Sequence, residues 1–382
     1  MDFSLTAEQA ELRDSVLRFT RGRLLPREGA EEDGFRRDLW EAMAEFGILG
    51  LAVPVDRGGS GLGVTTTTVA MEALGLGGAD SGLLFSLHAH LWSVMMPLLT
   101  FGAEDQVERY LPGLMGGRMV GAHGMSEPGS GSDAFSLRTR AERDGDDYVL
   151  NGTKTFVTNA PVADLFLVFA TVNPSRGFWG VTAFLLEKDT PGLQVSPPFE
   201  KMGLRGSPMG EVVLQDCRVP ATQRLGEEGQ GSTIFNHSMI WERGCILGST
   251  VGRMGRQLEQ TVQYAKDREQ FGRPIGDFQL VAARIADMRM RLETCRLLLY
   301  RTAWAHEAGE PTGLHAAMAK TWISEAAVAS AMDAVKVHGG YGYMEEFEAA
   351  RDLRDAVGGT LYSGTSEIQR LIIARELGLD PR

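Results

Sequence analysis

The sequence predicts a mainly α-helical protein with a small β domain in the middle of the chain. Three observations support this prediction: helical periodicity over residues 1–120, short strand-like runs between turn residues over 121–225, and long helical stripes over 226–382. The chain has 382 residues, of which 43% are hydrophobic, and this is enough for two or three domains with their own cores. We therefore expect three domains, with boundaries near residues 120 and 225.

The first domain is predicted to begin with an amphipathic helix. Thr6 followed by Gln9 is a capping-box pattern, and Leu12, Val16 and Phe19 then recur on one helical face. Glycine- or proline-containing breaks divide the helices that follow. These breaks are Pro26, Val53–Gly63 and Gly75–Gly82.

One apolar segment is long enough to cross a membrane. Ser81–Phe101 contains no Asp, Glu, Lys or Arg, and no basic cluster flanks it. Its polar residues and its proline are His88, His90, Ser86, Ser93 and Pro97. These interruptions favour a buried helix over a membrane span.

The middle domain is predicted from short β-rich runs between turn residues. Asp144-Gly145 and Asn151-Gly152 are strong tight-turn signals. They adjoin the strand-like runs Tyr148–Leu150 and Thr155–Thr158. Further strands are predicted at Leu165–Val172, Val181–Leu186 and Glu211–Leu214.

The last domain is predicted to be a bundle of long helices. Its clearest apolar stripe has the spacing of a bundle helix and consists of Met288, Leu292, Cys295 and Leu299. Gly309 follows as a C-terminal cap, and a second helix is predicted from about Leu314 to His338. Ser366 with Gln369 is predicted to cap a last helix that stops at Gly378.

Charge and cysteine content exclude several classes of function. The 38 basic and 50 acidic residues give a formal net charge of −12, which argues against general binding to nucleic acid or anionic lipid. The cysteines are Cys217, Cys245 and Cys295. They form no CxxC pair and no zinc spacing, so a reducing cytoplasm is the expected compartment. No histidine has a partner at metal-ligand spacing, and we expect no metal site.

Two segments of the middle domain contain candidate ligand-binding residues. The loop from His123 to Asp133 crowds glycines and serines, so its backbone N–H groups can closely approach a flat or anionic ligand. On the following strand, Phe156 and Thr158 are two residues apart and point the same way, so one side chain can stack on a ring while the other bonds to its edge. Taken alone, each segment also fits an ordinary tight turn or hairpin.

Three segments of the last domain are also candidates. Arg268 stands before a turn that ends near Gln279, and its guanidinium suits a diphosphate; a solvated charge run between helices is the alternative. Val337–Gly342 and Tyr362–Arg370 place glycines and hydroxyls at helix ends, where unpaired backbone groups can hold a phosphate or a carbonyl oxygen.

Together, in this order and spacing, these segments resemble the acyl-CoA dehydrogenase family over essentially the whole chain. The matching motifs are Ser126–Asp133, Arg268 with Phe271-Gly272, Gly339-Gly340 and Gly364-Thr365. The resemblance implies an N-terminal helical domain, a middle β-barrel or sandwich domain and a C-terminal four-helix bundle. It also implies FAD as the cofactor and a homo-oligomer, usually a tetramer.

The resemblance further implies which residues contact the flavin and the substrate. FAD would be contacted by Met125, Ser126, Ser132, Phe156, Thr158, Arg268, Phe271, Gln279, Lys336, Gly339, Gly340, Thr365 and Glu367, with Arg268, Phe271 and Gln279 reaching it across a subunit interface. The thioester and its pantetheine arm would be contacted by Ser132, Arg243, Tyr362 and Gly364. This chain departs from the family pattern where Phe156 replaces Trp, Lys336 replaces Gln and Ile240 replaces Asp.

The catalytic base is the main departure from the family pattern. The chemistry needs a carboxylate that removes the α-proton while hydride leaves the β-carbon. Most of the family carry it just before the Gly-Thr pair, where this chain has Ser363; only the backbone N–H of Ser363 is then expected to act, as a donor to the thioester carbonyl. The isovaleryl and carrier-protein types instead carry it at the position of Glu242. Apolar neighbours are expected to raise the pKa of Glu242, which favours it as the base over an ion pair with Arg243.

The expected activity is therefore FAD-dependent α,β-dehydrogenation of an acyl thioester, with an electron-transfer flavoprotein as acceptor. Free CoA and a carrier protein present the same pantetheine arm, and the sequence does not separate them. Two alternatives stay open: a flavin oxidase or monooxygenase on the same fold, and a catalytically silent, flavin-carrying binding protein.

Overall fold

A computed structural model describes residues 4–25 and 34–380 of the protein. The first part of the chain is helical, with helices α1 (Ala7–Phe19), α2 (Arg37–Glu45), α3 (Val64–Gly77), α4 (Ser81–His90), α5 (Met96–Phe101) and α6 (Glu104–Met115). The predicted capping box is confirmed, because Gln9 N donates to Thr6 Oγ1 over 3.2 Å and Thr6 N donates to Gln9 Oε1 over 3.1 Å. The break predicted at Pro26 lies outside the described residues.

The apolar segment Ser81–Phe101 is one helical rod inside the protein. It comprises α4, a π-helical turn at Leu91–Met95 and α5. Although it is long and apolar enough to cross a membrane, 83% of its most apolar window is buried within the fold. As predicted, it is a core helix, and its wide π turn carries a side chain of the site described below.

The middle of the chain forms one eight-stranded sheet. Its strands are β1 (Gly121–Gly124), β2 (Arg140–Asp144), β3 (Asp147–Thr158), β4 (Leu165–Thr171), β5 (Val181–Glu187), β6 (Leu193–Val195), β7 (Met209–Pro220) and β8 (Arg224–Leu225). The order is β6-β7-β3-β2-β4-β5-β8, and β1 pairs in parallel with β4. The predicted turn after Asp144 joins β2 to β3, with Asp144 opposite Asp147.

The turn predicted at Asn151-Gly152 is wrong. Strand β3 continues through both residues, and only its register with β7 shifts there. Asn151 finds its partner across the sheet: Asp216 N donates to Asn151 Oδ1 over 2.8 Å, and Asn151 Nδ2 donates to Asp216 Oδ1 over 3.2 Å. The long-range pairing therefore overrides a local turn preference and leaves a bulge.

The last part of the chain is the predicted helical bundle. Its helices are α7 (Gly231–Cys245), α8 (Leu247–Asp267), α9 (Gln279–Glu307), α10 (Gly313–His338), α11 (Glu348–Gly359) and α12 (Ser366–Glu376), and a short hairpin of β9 (Glu269–Gln270) and β10 (Arg273–Pro274) joins α8 to α9. The predicted stripe on α9 is buried along its whole length, and α10 ends at His338 as predicted.

The cap predicted for α12 is off by one residue. Thr365, not Ser366, is the N-cap, and its Oγ1 accepts a hydrogen bond from Ile368 N over 3.3 Å. Thr365 has a non-helical backbone that directs its hydroxyl over the first turn. Ser366 is already helical, and in the described part of the chain its buried hydroxyl has no partner.

Candidate active site

Glu242 lies on α7 where this helix crosses the π turn of the apolar rod. Its Oε1 accepts a hydrogen bond from Ser93 Oγ, and its Oε2 accepts one from Ser363 Oγ over 2.8 Å. Only 9% of Glu242 is exposed. The neighbouring Arg243 directs its Nε to the backbone oxygen of Ser363 over 3.1 Å. The carboxylate is therefore held by hydroxyl groups, and the ion pair with Arg243 that the sequence left open is not the contact that forms.

Burial raises the pKa of Glu242 above its usual value. The hydroxyls of Ser93 and Ser363 and the charges of Arg243 and Lys320 act in the opposite direction. A carboxyl whose pKa is shifted toward neutrality binds a proton more readily than a solvated one, which suits a general base.

Two stacked tryptophan rings come from the residues that directly precede Ser93 and Glu242 in the chain. Trp92 and Trp241 stack with ring centroids 5.5 Å apart and planes 7° apart. Trp92 Nε1 donates to His88 Nδ1 over 2.9 Å, and the other ring nitrogen of His88 lies 2.8 Å from Ser249 Oγ. Burial lowers the pKa of His88 to about 3, so this ring is neutral. Because its Nδ1 accepts the Trp92 hydrogen bond, the ring proton is on Nε2.

The loop between α11 and α12 presents Ser363 to Glu242. Ser363 has a left-handed backbone, with φ of 54°, and its carbonyl oxygen also accepts a hydrogen bond from Gln369 Nε2 over 3.0 Å. Tyr362 packs its ring on Phe85, with centroids 4.6 Å apart. The structure thus brings together the predicted residues Glu242, Arg243, Tyr362, Ser363, Gly364 and Thr365.

A buried ion pair shapes the loop that contains Met125, Ser126 and Ser132. Lys154 Nζ donates to Glu127 over 2.8 Å and to Met125 O over 3.2 Å. Burial lowers the pKa of Lys154 to about 8. Burial also acts to raise the pKa of Glu127, but the charge and hydrogen bond of Lys154, together with hydrogen bonds from Thr139 and Arg138, hold that pKa below its usual value. The loop is therefore fixed to β3 by a pair that the sequence did not reveal.

The two candidate residues on β3 lie at an irregular part of the strand. Phe156 has a φ of 54° and is 66% exposed, and the register with β7 shifts between Lys154 and Val157. Thr158 pairs with Met209 and is half-buried. The strand thus directs an aromatic ring outward next to the loop fixed by Lys154, because Thr155 N donates to Ser126 O over 2.9 Å.

A third group of predicted residues lies on the surface around the β9–β10 hairpin. Phe271 is 93% exposed, and Arg268 lies over the ring of Tyr341 at 5.7 Å. The remaining members, Gln279, Lys336, Gly339, Gly340 and Glu367, are exposed or half-buried. Their exposure in one chain leaves them accessible to a ligand, and the resemblance implies that Arg268, Phe271 and Gln279 reach it across a subunit interface.

The residues present fit an extended flavin dinucleotide. No atom lies within 4 Å of a Cβ added at Gly339 or Gly340, so their backbone is open to a ligand next to Arg268. The exposed ring of Phe156 offers a stacking surface. Among residues 4–25 and 34–380, no group of three or more His, Cys, Asp or Glu side chains is placed to hold a metal ion.

Comparison with protein families identifies the whole chain. Models of the N-terminal, middle and C-terminal domains of acyl-CoA dehydrogenase match residues 6–118, 122–217 and 229–378. The chain belongs to the acyl-CoA dehydrogenase family. It has the acyl-CoA dehydrogenase fold, and it is an FAD-dependent oxidoreductase that acts on the CH–CH bond of acyl thioesters.

Individual relatives of this acyl-CoA dehydrogenase family member include carrier-protein and CoA enzymes. An L-prolyl-[peptidyl-carrier protein] dehydrogenase of Pseudomonas fluorescens is 47% identical over 342 residues, covering 89% of this chain and 90% of the relative. The mitochondrial isovaleryl-CoA dehydrogenase of Pongo abelii is 37% identical over 385 residues, covering 98% and 90%.

Solved structures agree with these relatives. The prolyl acyl carrier protein oxidase AnaB has a TM-score of 0.96 and 48% identity, covering 98% of this chain and 100% of its own. PigA with FAD and proline has a TM-score of 0.95 and 42% identity, covering 99% and 100%.

Sequence reasoning missed Ser93, the hydroxyl that bonds to Oε1 of the predicted base. In the sequence, Ser93 appeared only as one of the polar residues that interrupt the apolar segment Ser81–Phe101. A lone serine in a buried helix is itself a signal, because a buried hydroxyl needs a partner. Nothing in the sequence indicated that the partner lies 149 residues further along the chain.

Proposed function

We propose that this enzyme oxidises a prolyl thioester carried on a peptidyl carrier protein, with Glu242 as the base that removes the α-proton. The observation that carries the proposal is the buried carboxylate of Glu242, held next to Ser363 at the family's reaction site. Similarity to prolyl-carrier-protein dehydrogenases of two bacteria, at 47% and 43% identity, supports the substrate.

Glu242 and the groups around it have separate roles in binding the thioester and in removing its α-proton. Glu242 takes the proton from the carbon next to the thioester carbonyl. The backbone N–H of Ser363 donates to that carbonyl oxygen, where negative charge develops as the proton leaves. Arg243 fixes the Ser363 loop through its 3.1 Å bond, and with Ser132, Tyr362 and Gly364 it lines the thioester and pantetheine site.

The flavin, when bound, supplies the two-electron acceptor for the hydride that leaves the β-carbon. Met125, Ser126 and Ser132 would hold it from the loop, and Phe156 and Thr158 from β3. Lys336, Gly339 and Gly340 would lie on its diphosphate side, and Thr365 and Glu367 would complete the cofactor site. Arg268, Phe271 and Gln279 would reach the cofactor of a second subunit. The exposed aromatic ring and open glycine backbone support these assignments.

The test is flavin bleaching by defined thioesters without oxygen. Prolyl-carrier protein should bleach the bound flavin faster than prolyl-CoA or isovaleryl-CoA, because only the carrier substrate offers both the acyl group and a docking protein. Glu242→Gln should keep its FAD and slow bleaching by at least about a hundredfold, since general bases contribute roughly 10²–10⁴-fold. Glu227→Gln, whose side chain is 84% exposed, is the matched control. Bleaching retained in Glu242→Gln would reject the base, and equal bleaching by free CoA esters would reject the carrier.

The electron acceptor separates two versions of this function. We propose an electron-transfer flavoprotein as acceptor, in line with dehydrogenase relatives. The name of AnaB as an oxidase favours oxygen as the second candidate. Substrate-reduced enzyme mixed with air distinguishes them: reoxidation within seconds indicates an oxidase, and slow reoxidation that an electron-transfer flavoprotein accelerates indicates a dehydrogenase.

We propose a homotetramer in a reducing cytoplasm. The apolar side chains around the hairpin support an oligomer, since Phe271, Leu280 and Tyr343 are 93%, 84% and 76% exposed in one chain. The three cysteines are free and buried, which supports a reducing cytoplasm as the compartment because no disulfide is formed. Light scattering of the FAD-loaded protein tests the assembly.

A further inference from the structure

The carboxylate of Glu242 accepts hydrogen bonds from two serine hydroxyls that belong to distant parts of the chain. Ser93 Oγ donates to Oε1, and Ser363 Oγ donates to Oε2 over 2.8 Å. Ser93 is fully buried. We call Ser93 and Ser363 the serine pair. A hydroxyl both donates and accepts hydrogen bonds, so each member can donate to a carboxylate and accept from a carboxylic acid.

The backbone of each member is fixed by contacts of its own. The carbonyl oxygen of Ser363 accepts from Arg243 Nε and Gln369 Nε2 over 3.1 and 3.0 Å. Ser93 directly follows Trp92, whose ring is bonded to His88 over 2.9 Å. The serine pair is therefore placed by α7, α12 and the apolar rod, and its hydroxyls meet Glu242 from two directions.

We propose that the serine pair positions Glu242 for removal of the α-proton. The hydroxyls hold both carboxylate oxygens in one orientation before the transfer, and one of them turns to accept the new carboxyl O–H afterwards. This rests on the proposed function, in which Glu242 is the base. The C–H bond breaks and an O–H bond forms on Glu242, while neither serine gains or loses a proton. Both serines are thus positioning residues.

The serine pair also opposes the effect of burial on the charge of Glu242. Burial favours the neutral carboxyl, whereas each donated O–H favours the ionised form. The other charged or titratable groups that face the carboxylate are Arg243 on α7, Lys320 on α10 and Tyr362 in the loop. A serine-to-alanine change leaves these three in place, so its effect on the pH profile reports the lost hydroxyl.

The experiment measures anaerobic flavin reduction by saturating prolyl-carrier protein over about pH 5 to 9, a range that brackets a base with a raised pKa. Ser93→Ala and Ser363→Ala should each shift the acidic limb to higher pH and slow reduction on that limb by about tenfold, since hydrogen bonds to charged groups are strong. Substrate affinity should change by less than about twofold, because neither hydroxyl binds the substrate. The matched control is Ser238→Ala, a buried serine on the same helix as Glu242, whose hydroxyl donates to Phe235 O over 2.7 Å instead.

The outcomes separate this inference from the proposed function. Profiles of Ser93→Ala and Ser363→Ala that coincide with that of Ser238→Ala overturn the role of the serine pair. If Glu242→Gln still reduces its flavin, the base itself is wrong. If Glu242→Gln is inactive while both serine variants keep the wild-type profile, only the serine pair fails. The flavin absorbance of each variant confirms folding, and the two serines lie in different elements, so a folding defect in one leaves the other to decide.

Discussion

Ser363 and Glu242 are joined by a 2.8 Å hydrogen bond although they are 121 residues apart in the chain. Ser363 occupies the position where the family usually carries its base, and Glu242 carries the carboxylate. The two positions therefore meet in space, one on α7 and the other in the loop between α11 and α12. Under the proposed function, this relationship accounts for a catalytic carboxylate in a chain that has no acid directly before Gly364.

Glu242→Gln should become more stable relative to the wild type as the pH rises. The folded protein raises the pKa of Glu242 from its ordinary value of 4.5, so the wild type gains stability from this proton at low pH and loses it as pH rises through the folded pKa. Gln does not titrate. A folded pKa one pH unit above the unfolded pKa corresponds to roughly 1.4 kcal/mol of stability. Melting curves at acidic and mildly alkaline pH check this, and a difference in Tm that stays constant with pH would contradict it. Glu227→Gln should show no such trend.

Lys154→Met should destabilise the protein by about 3–5 kcal/mol, because the buried carboxylate of Glu127 loses its cationic partner and keeps only the backbone N–H groups of Arg138 and Thr139 as donors. The double variant Lys154→Met/Glu127→Gln should recover most of this loss, since no uncompensated charge is then buried. Urea unfolding of the single and double variants measures both effects. We also expect the single variant to retain less FAD, because Lys154 holds Met125 O. Equal stability of the single and double variants would refute the argument.

Gly364→Ala should slow flavin reduction strongly. Gly364 has a φ of 88°, and an added Cβ would lie 2.6 Å from Gln369 Nε2, the group that holds Ser363 O. We expect a loss of about 1–3 kcal/mol in stability from strain, together with displacement of the Ser363 loop.

Gly145→Ala is the matched control for the Gly364 variant. Gly145 has a φ of 64° but no atom within 4 Å of an added Cβ, so the backbone cost is similar while the site is untouched. Both variants should therefore lose stability through the backbone cost, Gly364→Ala should lose more because of its clash with Gln369, and only Gly364→Ala should lose its rate of reduction. Equal rates would show that the Ser363 loop tolerates movement.

Phe271→Asp should weaken the assembly and the retention of FAD together. A charge on a side chain that is 93% exposed in one chain costs nothing in the isolated subunit, but it is costly in an apolar contact between subunits. Light scattering and the ratio of flavin to protein absorbance measure the two effects. Val55→Asp, at a residue that is 71% exposed, is the control. An intact oligomer in Phe271→Asp would place the interface elsewhere.

Periodicity predicted the fold well where local signals and long-range contacts agree. The helix α10 ends at His338 as expected, and the capping box at Thr6 forms. The turn expected at Asn151-Gly152 does not form, because Asn151 makes its hydrogen bonds with Asp216 on another strand. Local preference is a weak guide where a distant residue satisfies the same polar groups.

The candidate site was predicted as a set of residues but not as a geometry. The position of Glu242 followed from the resemblance, and its apolar neighbours from the sequence. The hydroxyl of Ser93 and the buried pair of Lys154 with Glu127 did not follow, because each depends on a contact across many residues. Polar residues within buried elements mark where such contacts will be found.

The position of the Glu242 carboxylate on α7 has a practical consequence for the annotation of related sequences. A motif search that requires an acidic residue directly before Gly364-Thr365 would classify this chain as catalytically inactive, because the search tests that single position. A search that asks whether either of two columns is acidic would retain it. Under the proposed function, a carboxylate that reaches the same point in the fold from a distant position in the sequence takes the place of the missing acid.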